Sequence, residues 1–214
     1  MSGLDPERDR PPAVSTFLAW RDENQAFEQM ALDGWGGPTV PVSAASGTER
    51  VRLQVVGAHL FRLLGVEPVL GRTFVAEDFR ESRISASTVV ISFGLWQRLF
   101  GGDPAVLGQE LTVWADGTKT FVGVMPPGLW VSPQDRMVDV WVADDVTQAS
   151  PAVLPTMERS PVVGRLKRGV SVEQARAELW ASSCSPRWRQ AGIRRPVRSG
   201  STGRSWASRR GSRC

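Results

Sequence analysis

The chain reads as an α+β domain of mixed strands in two lobes, followed by a disordered basic C-terminal tail. Three observations predict this. Helical and strand patterns succeed one another without strict β-α-β alternation, which argues against a parallel doubly wound sheet. The stretch Thr88–Gly128 packs a strand, a capped helix, a Pro-initiated turn and a hairpin into one continuous run. At 214 residues, with 41% hydrophobic and 22% charged residues, the chain has the composition of a globular protein long enough for one sizeable core or two smaller ones.

Residues 14–32 are expected to form the first helix. Ser15 or Thr16 can cap it, and Phe17, Leu18, Phe27, Met30 and Ala31 recur at helical spacing, with Trp20 widening the face. Gly34, Gly36, Gly37 and Pro38 are expected to stop it. Thr39–Ala44 and Glu49–Val56 read as strands joined by a Ser/Ala/Gly turn, and His59–Leu64 as a short helix closing at Gly65. His59 is the single histidine. A catalytic histidine needs an orienting partner and a nucleophile, and a metal needs more than one imidazole, so a structural or surface role is expected. Glu77, Asp78 and Glu81 lack the alternating ligands and central glycine of a calcium loop and read as a solvated acidic loop.

The strand Thr88–Ile91 leads to Ser92, placed to cap a helix over Phe93–Phe100 whose apolar residues fall at 93, 95, 96, 99 and 100. Gly101 and Gly102 supply a left-handed stop, and Asp103-Pro104 restarts the chain as N-cap and first residue of a short turn ending at Gly108. Glu110–Trp114 and Thr118–Met125 read as a hairpin turning through Asp116-Gly117. Pro126-Pro127-Gly128 ends the second strand, because proline cannot donate to a ladder. Phe121, Val122, Val124 and Met125 alternate onto both faces of that strand, so it should be covered on both sides. Asp139–Ala143 follows as a strand, Gln148–Ser160 as a loop and Ser160–Leu166 as a strand. Ser171 caps a last helix, with Gln174 completing a capping box and Val172, Ala175 and Leu179 turned inward.

Chemistry-bearing patterns are missing from the sequence. Gly34–Gly37 and Gly101-Gly102 lack the Lys-Ser/Thr of a phosphate loop and the spacing of a dinucleotide fingerprint. Asp144-Asp145 are neighbours in sequence, which does not make a catalytic carboxylate pair. No nucleophile elbow accompanies the lone histidine, which disfavours a hydrolase. A chain that binds, moves or transmits is expected, with no catalytic, cofactor-binding or metal-binding residue and no cofactor.

The order VVIS-x-GLWQR-x-FGGDPAV-x-G-x-x-L, with TFVGVMPPG following, resembles the extracytoplasmic core domain of MacB-type, FtsX-like ABC transporter permeases. Phe17-Leu18-Ala19-Trp20-Arg21, the segment Leu63-Leu64-Gly65-Val66 through Leu70-Gly71-Arg72-Thr73-Phe74, and Val163-Gly164-Arg165-Leu166-Lys167 agree in order, so the resemblance covers about residues 14–179. It implies a scaffold motif at Trp96, Phe100, Gly101, Asp103, Pro104, Gly108, Gly123, Pro126, Pro127 and Gly128. It also implies a parent protein in the cell membrane, with membrane-spanning permease segments and a separate ATP-binding subunit as partners. The domain would couple membrane-helix motion to a substrate or partner outside. No apolar run approaches the roughly twenty residues of a membrane span, and Met1–Pro12 lacks the apolar core of a signal peptide. The chain therefore reads as a fragment from the middle of a larger protein.

Three segments are expected: a disordered 1–13, the core domain 14–179, and an Arg/Ser/Trp-rich tail 180–214. All 22 acidic residues lie at or before Glu178, whereas nine arginines and both cysteines, Cys184 and Cys214, follow it. The tail has no lysine and no apolar period. Arginine with interleaved tryptophan can hold nucleic acid, guanidinium on phosphate and indole on base, which makes a nucleic-acid-binding protein the alternative reading. Arg, Ser, Gly, Trp, Pro and Ala are also what GC-rich coding DNA yields out of frame, and a frame shift near residues 179–182 is expected.

Overall fold

A computed structural model describes residues 11–79, 85–113, 117–129, 138–145 and 160–183. Expectations for Glu81, the Asp116 turn position, most of the loop 148–160 and the tail beyond 183 fall outside these residues. The elements run α1 (Val14–Glu23), β1 (Phe27–Leu32), β2 (Trp35–Ala44), β3 (Gly47–Gly57), α2 (Leu60–Leu64), β4 (Leu70–Gly71), a 3-10 turn (Ala76–Phe79), β5 (Ser85–Ser92), α3 (Phe93–Phe100), a second 3-10 turn (Pro104–Val106), β6 (Glu110–Val113), β7 (Gly117–Met125), β8 (Val140–Asp144), β9 (Val162–Leu166) and α4 (Val172–Ser183). Helices and mixed strands are thus interspersed, an α+β fold.

The larger sheet has the order β4-β7-β5-β8-β3-β2-β6, and β6 also pairs with β7. That last pairing closes β7, β5, β8, β3, β2 and β6 into a ring. β7–β5 and β8–β3 are parallel, and the other four pairings are antiparallel. Closure removes the open edges that a flat sheet of this size would expose, and β4 takes the stretch of β7 that β6 leaves uncovered.

Alternation along the strands sorts the core into two shells. Val42, Val51, Val89, Phe121, Val124 and Val142 fill the ring interior. Val56, Val90, Met125 and Trp141 face outward, where Phe61 of α2 meets Trp141 edge-on at 5.7 Å and stacks on Phe74 at 5.9 Å. β7 contributes to both shells, so it is covered on both faces as expected, but a register shift against β5 at Val122 breaks simple alternation and sets Phe121 with Val124 inside and Val122 with Met125 outside.

The second lobe is a two-stranded antiparallel sheet of β1 and β9, with α1 and α4 packed together beside it. A two-stranded sheet is marginal alone and needs such helices. Val14, Phe17, Met30 and Leu32 form its core, with Leu179 packed on them.

The first helix is shorter than the sequence suggests. Asn24 ends it: its side-chain amide donates to the Trp20 and Arg21 carbonyls at 2.7 and 3.0 Å, and its Oδ1 accepts from the Phe27 amide at 3.0 Å, which turns the chain. Residues 27–32 then form β1, because a partner strand 130 residues later outweighs a helical spacing that only mimics an amphipathic face. The glycines and proline at 34–38 do not act as a helix stop; Trp35 to Ala44 is a strand, whose pairing with β3 shifts register between Gly36 and Thr39. In α4, Ala175 is buried as expected, but Val172 is 56% exposed. The capping box is in place, with the Ser171 amide donating to Gln174 Oε1 at 2.8 Å and the Gln174 amide to Ser171 Oγ at 3.2 Å.

Candidate functional site

Two places in the fold concentrate specific interactions: the end of the ring closed by α3, and the junction of ring and lobe. They lie at opposite ends. β5 runs into α3 where β8 begins, whereas β3 runs out into α2 where β8 ends.

At the α3 end, Ser92 Oγ accepts from the Leu95 amide at 3.1 Å and starts the helix, and Leu95 is fully buried. Gly101 ends it at φ 61°, a left-handed conformation that costs a side-chain-bearing residue energy. Its amide donates to Gln97 O at 3.0 Å, and the Gly102 amide to Trp96 O at 3.3 Å. Trp96 Nε1 reaches forward to Asp103 O at 3.0 Å. Asp103 Oδ1 accepts from the Ala105 amide at 2.8 Å, with Pro104 in the first position of the short turn. The Gly108 amide then donates to Phe121 O at 2.8 Å, and Phe100 stacks on Phe121 with ring centroids 5.9 Å apart. Trp96, Phe100, Gly101, Asp103, Pro104 and Gly108 therefore form one connected closure over the ring interior. Gly123 lies at the β4–β7 pairing, where a Cβ would sit 2.1 Å from Arg72 O. Pro126, Pro127 and Gly128 make the turn after β7.

Charge fixes α3 to the ring wall. Arg98 donates from Nε to Glu49 at 2.7 Å and from Nη2 to Asp139 at 2.8 Å, while Asp139 Oδ2 accepts from the Arg52 amide at 3.1 Å. These hydrogen bonds, that of Asp139 first, raise the Arg98 pKa. Sequence spacing gave no sign of this cluster, whose members come from α3, β3 and the residue just before β8.

Asp78 corrects the expectation of a solvated acidic loop. Its side chain is only 4% exposed and holds Arg72 in a two-pronged pair, both bonds 2.8 Å. Burial pushes its carboxyl up, but the Arg72 hydrogen bond, the Val75 amide and the Arg72 charge outweigh it and hold the pKa below the ordinary value. Glu77 stays exposed. Arg72-Thr73-Phe74 and Asp78, six residues apart, thus pin the chain leaving β4. His59 is exposed at the start of α2, beside a small apolar cleft lined by Phe17, Met30 and Leu32. Among the described residues no group of His, Cys, Asp or Glu is arranged to hold a metal ion.

At the junction, the Asp33 amide donates to Pro161 O at 2.9 Å, and Gln54 Nε2 donates to Asp33 O at 2.6 Å. Arg165 of β9 donates from Nε and Nη2 to Leu63 O at 3.2 and 2.5 Å, satisfying a carbonyl at the C-terminal end of α2. Within the lobe, the Glu178 carboxylate accepts from the amides of Gln25 and Ala26, tying α4 to the start of β1.

The fold is thus closed by α3 at one end, and at the other β1 pairs with β9 in a lobe joined to the ring. The chain belongs to the MacB-like periplasmic core domain family, which matches residues 6–182. In structure it is similar to the periplasmic region of MacB from Actinobacillus actinomycetemcomitans, with a TM-score of 0.59 and 12% identity over 91% of this chain and 83% of that one. It is similar also to the extracellular domain of the noncanonical ABC-type transporter YknZ from Gram-positive bacteria (TM-score 0.56, 13% identity, 90% and 89% covered). A domain of a permease protein from Porphyromonas gingivalis aligns with a TM-score of 0.58 and 20% identity, covering 83% of this chain and 73% of that one. None of the curated proteins matches the chain in sequence. The chain is thus a periplasmic domain of a MacB-like ABC transporter permease; among the described residues no helix is long and apolar enough to cross a membrane.

Proposed function

We propose that this domain is non-catalytic and couples the motion of permease membrane helices, driven by a separate ATP-binding subunit, to a substrate or partner outside the membrane. The observation that carries this reading is the pairing of β1 with β9, from Phe27↔Leu166 to Leu32↔Val162. It brings the two ends of the domain side by side in one lobe. A displacement of flanking membrane helices enters through that lobe and reaches the ring, whose α3 end lies furthest along the strands. Trp96, Phe100, Gly101, Asp103, Pro104, Gly108, Gly123, Pro126, Pro127 and Gly128 act in this reading as scaffold, keeping the far end closed so that it moves without deforming.

The test is made in the permease that carries this domain, reconstituted in lipid vesicles with its ATP-binding subunit. A spin label at Lys167→Cys in the lobe should change its distance from a lipid-headgroup label between the nucleotide-free and ATP-bound states. A distance that stays constant through the ATP cycle would sink the coupling role.

A further inference from the structure

We infer that lobe and ring are clamped at two points into one rigid body, so that motion entering at the lobe turns the whole domain and does not open the cleft between them. The inference rests on the coupling reading only for its use; the clamp itself stands on geometry. Covalent links between the two parts run through residues 32–35 and through the connection between β8 and β9. A hinge would sit at one of these, in residues free to absorb backbone rotation.

The first link has a residue that looks made for hinging, Gly34, at φ 85°. It is instead immobilised. A Cβ on Gly34 would lie 1.6 Å from Val55 O, so its backbone rests directly on β3. Its neighbour Asp33 is 2% exposed and uses both backbone groups, the amide to Pro161 O and the carbonyl from Gln54 Nε2. Pro161 precedes β9, so this one residue ties both strands of the lobe to β3.

The second point is α2. Arg165 grips Leu63 O from β9, and the apolar shell outside the ring runs unbroken across the junction, with Ala31 and Val163 of the lobe packed among Val56, Leu60 and Phe61. Close-packed interiors have few arrangements and do not slide continuously. The two points lie on different elements, so release of one leaves the other holding the lobe.

The experiment uses the full chain with Cys184→Ser and Cys214→Ser. Spin labels go at the exposed positions Glu28→Cys in the lobe and Thr112→Cys in the ring, and pulsed electron paramagnetic resonance reads the distance between them. One narrow peak is expected; a broad or two-peaked distribution in this parent overturns the clamp. Gly34→Ala combined with Arg165→Met releases both points and is expected to broaden or split the peak. Should that variant fail to fold, Gln54→Met combined with Arg165→Met removes both polar grips while leaving the Gly34 contact, and is expected to broaden it as well. A double variant as narrow as the parent overturns the assignment to these residues. In the reconstituted permease the same pair is expected to keep its distance through the ATP cycle. If it does so while the lobe-to-lipid distance also stays constant, the coupling reading fails and the clamp survives.

Discussion

Gly123 shows how little room the fold leaves at single positions. Its missing Cβ lets Arg72 O approach, so Gly123→Ala forces β4 away from β7 and is expected to cost about 3 kcal/mol, the upper range for overpacking. Urea denaturation checks this, and a loss under about 1 kcal/mol would show that β4 gives way freely. Asp78 sets an acid limb. Its folded pKa is depressed, so its contribution to stability is present above the ordinary carboxylate value near 3.9 and is lost as pH falls through the lower folded value. Asp78→Asn should flatten that acid limb and, at neutral pH, cost about 2 kcal/mol, less than for a fully buried pair because Arg72 is 44% exposed. Unfolding midpoints from pH 2 to 7 measure both. Neither the Asp78 pair nor the Gly123 contact was visible in sequence, where Glu77 and Asp78 form an ordinary acidic run and Gly123 a gap in an apolar strand. Burial of a charge depends on what folds over it.

Among the elements, α3 is the one whose sequence and structure agree residue by residue, since all its signals are local. The Ser92 cap, the Phe93–Phe100 run and the Gly101 stop each act within one turn of chain. Ser92→Ala is expected to lose about 1 kcal/mol, read from thermal unfolding followed by circular dichroism. Restoration by Ser92→Asp would tie the loss to the cap. Residues 27–32 are the opposite case. Phe27, Met30 and Ala31 stand at helical spacing, yet Asn24 turns the chain and β9 supplies the pairing. Asn24→Ala should therefore leave Trp20 and Arg21 carbonyls without their side-chain donor and let α1 fray, at a cost of about 1 kcal/mol. Faster hydrogen exchange at the backbone amide of position 24, which donates to Trp20 O, would report it; unchanged exchange there would contradict the side-chain role.

For the whole molecule, ring closure by the β6–β7 pairing governs cooperativity. Leu111 is fully buried in the ring interior on the short strand that completes the circuit. Leu111→Ala is expected to cost about 3 kcal/mol. Because β2 and β7 each lose a packed neighbour, amide exchange should accelerate on both strands together. Acceleration on β6 alone would show that the ring is not a single cooperative unit. Likeness to solved structures belongs to this scale as well: at identities of 12–20% the fold is what this chain and the structural relatives share.

The sequence by itself determined the class, the local elements from Thr88 to Gly128, the capping box of α4 and the family resemblance, because caps, turns and apolar alternation act over a few residues and are written in residue type. Tertiary structure alone decided that β1 pairs with β9, that six strands close into a ring, that Arg98 joins Glu49 to Asp139, and that Asp33, Gln54 and Arg165 bind lobe to ring. Each of these joins residues tens of positions apart. Loop closure sets their cost and packing their reward, and neither leaves a mark in the local pattern of the chain.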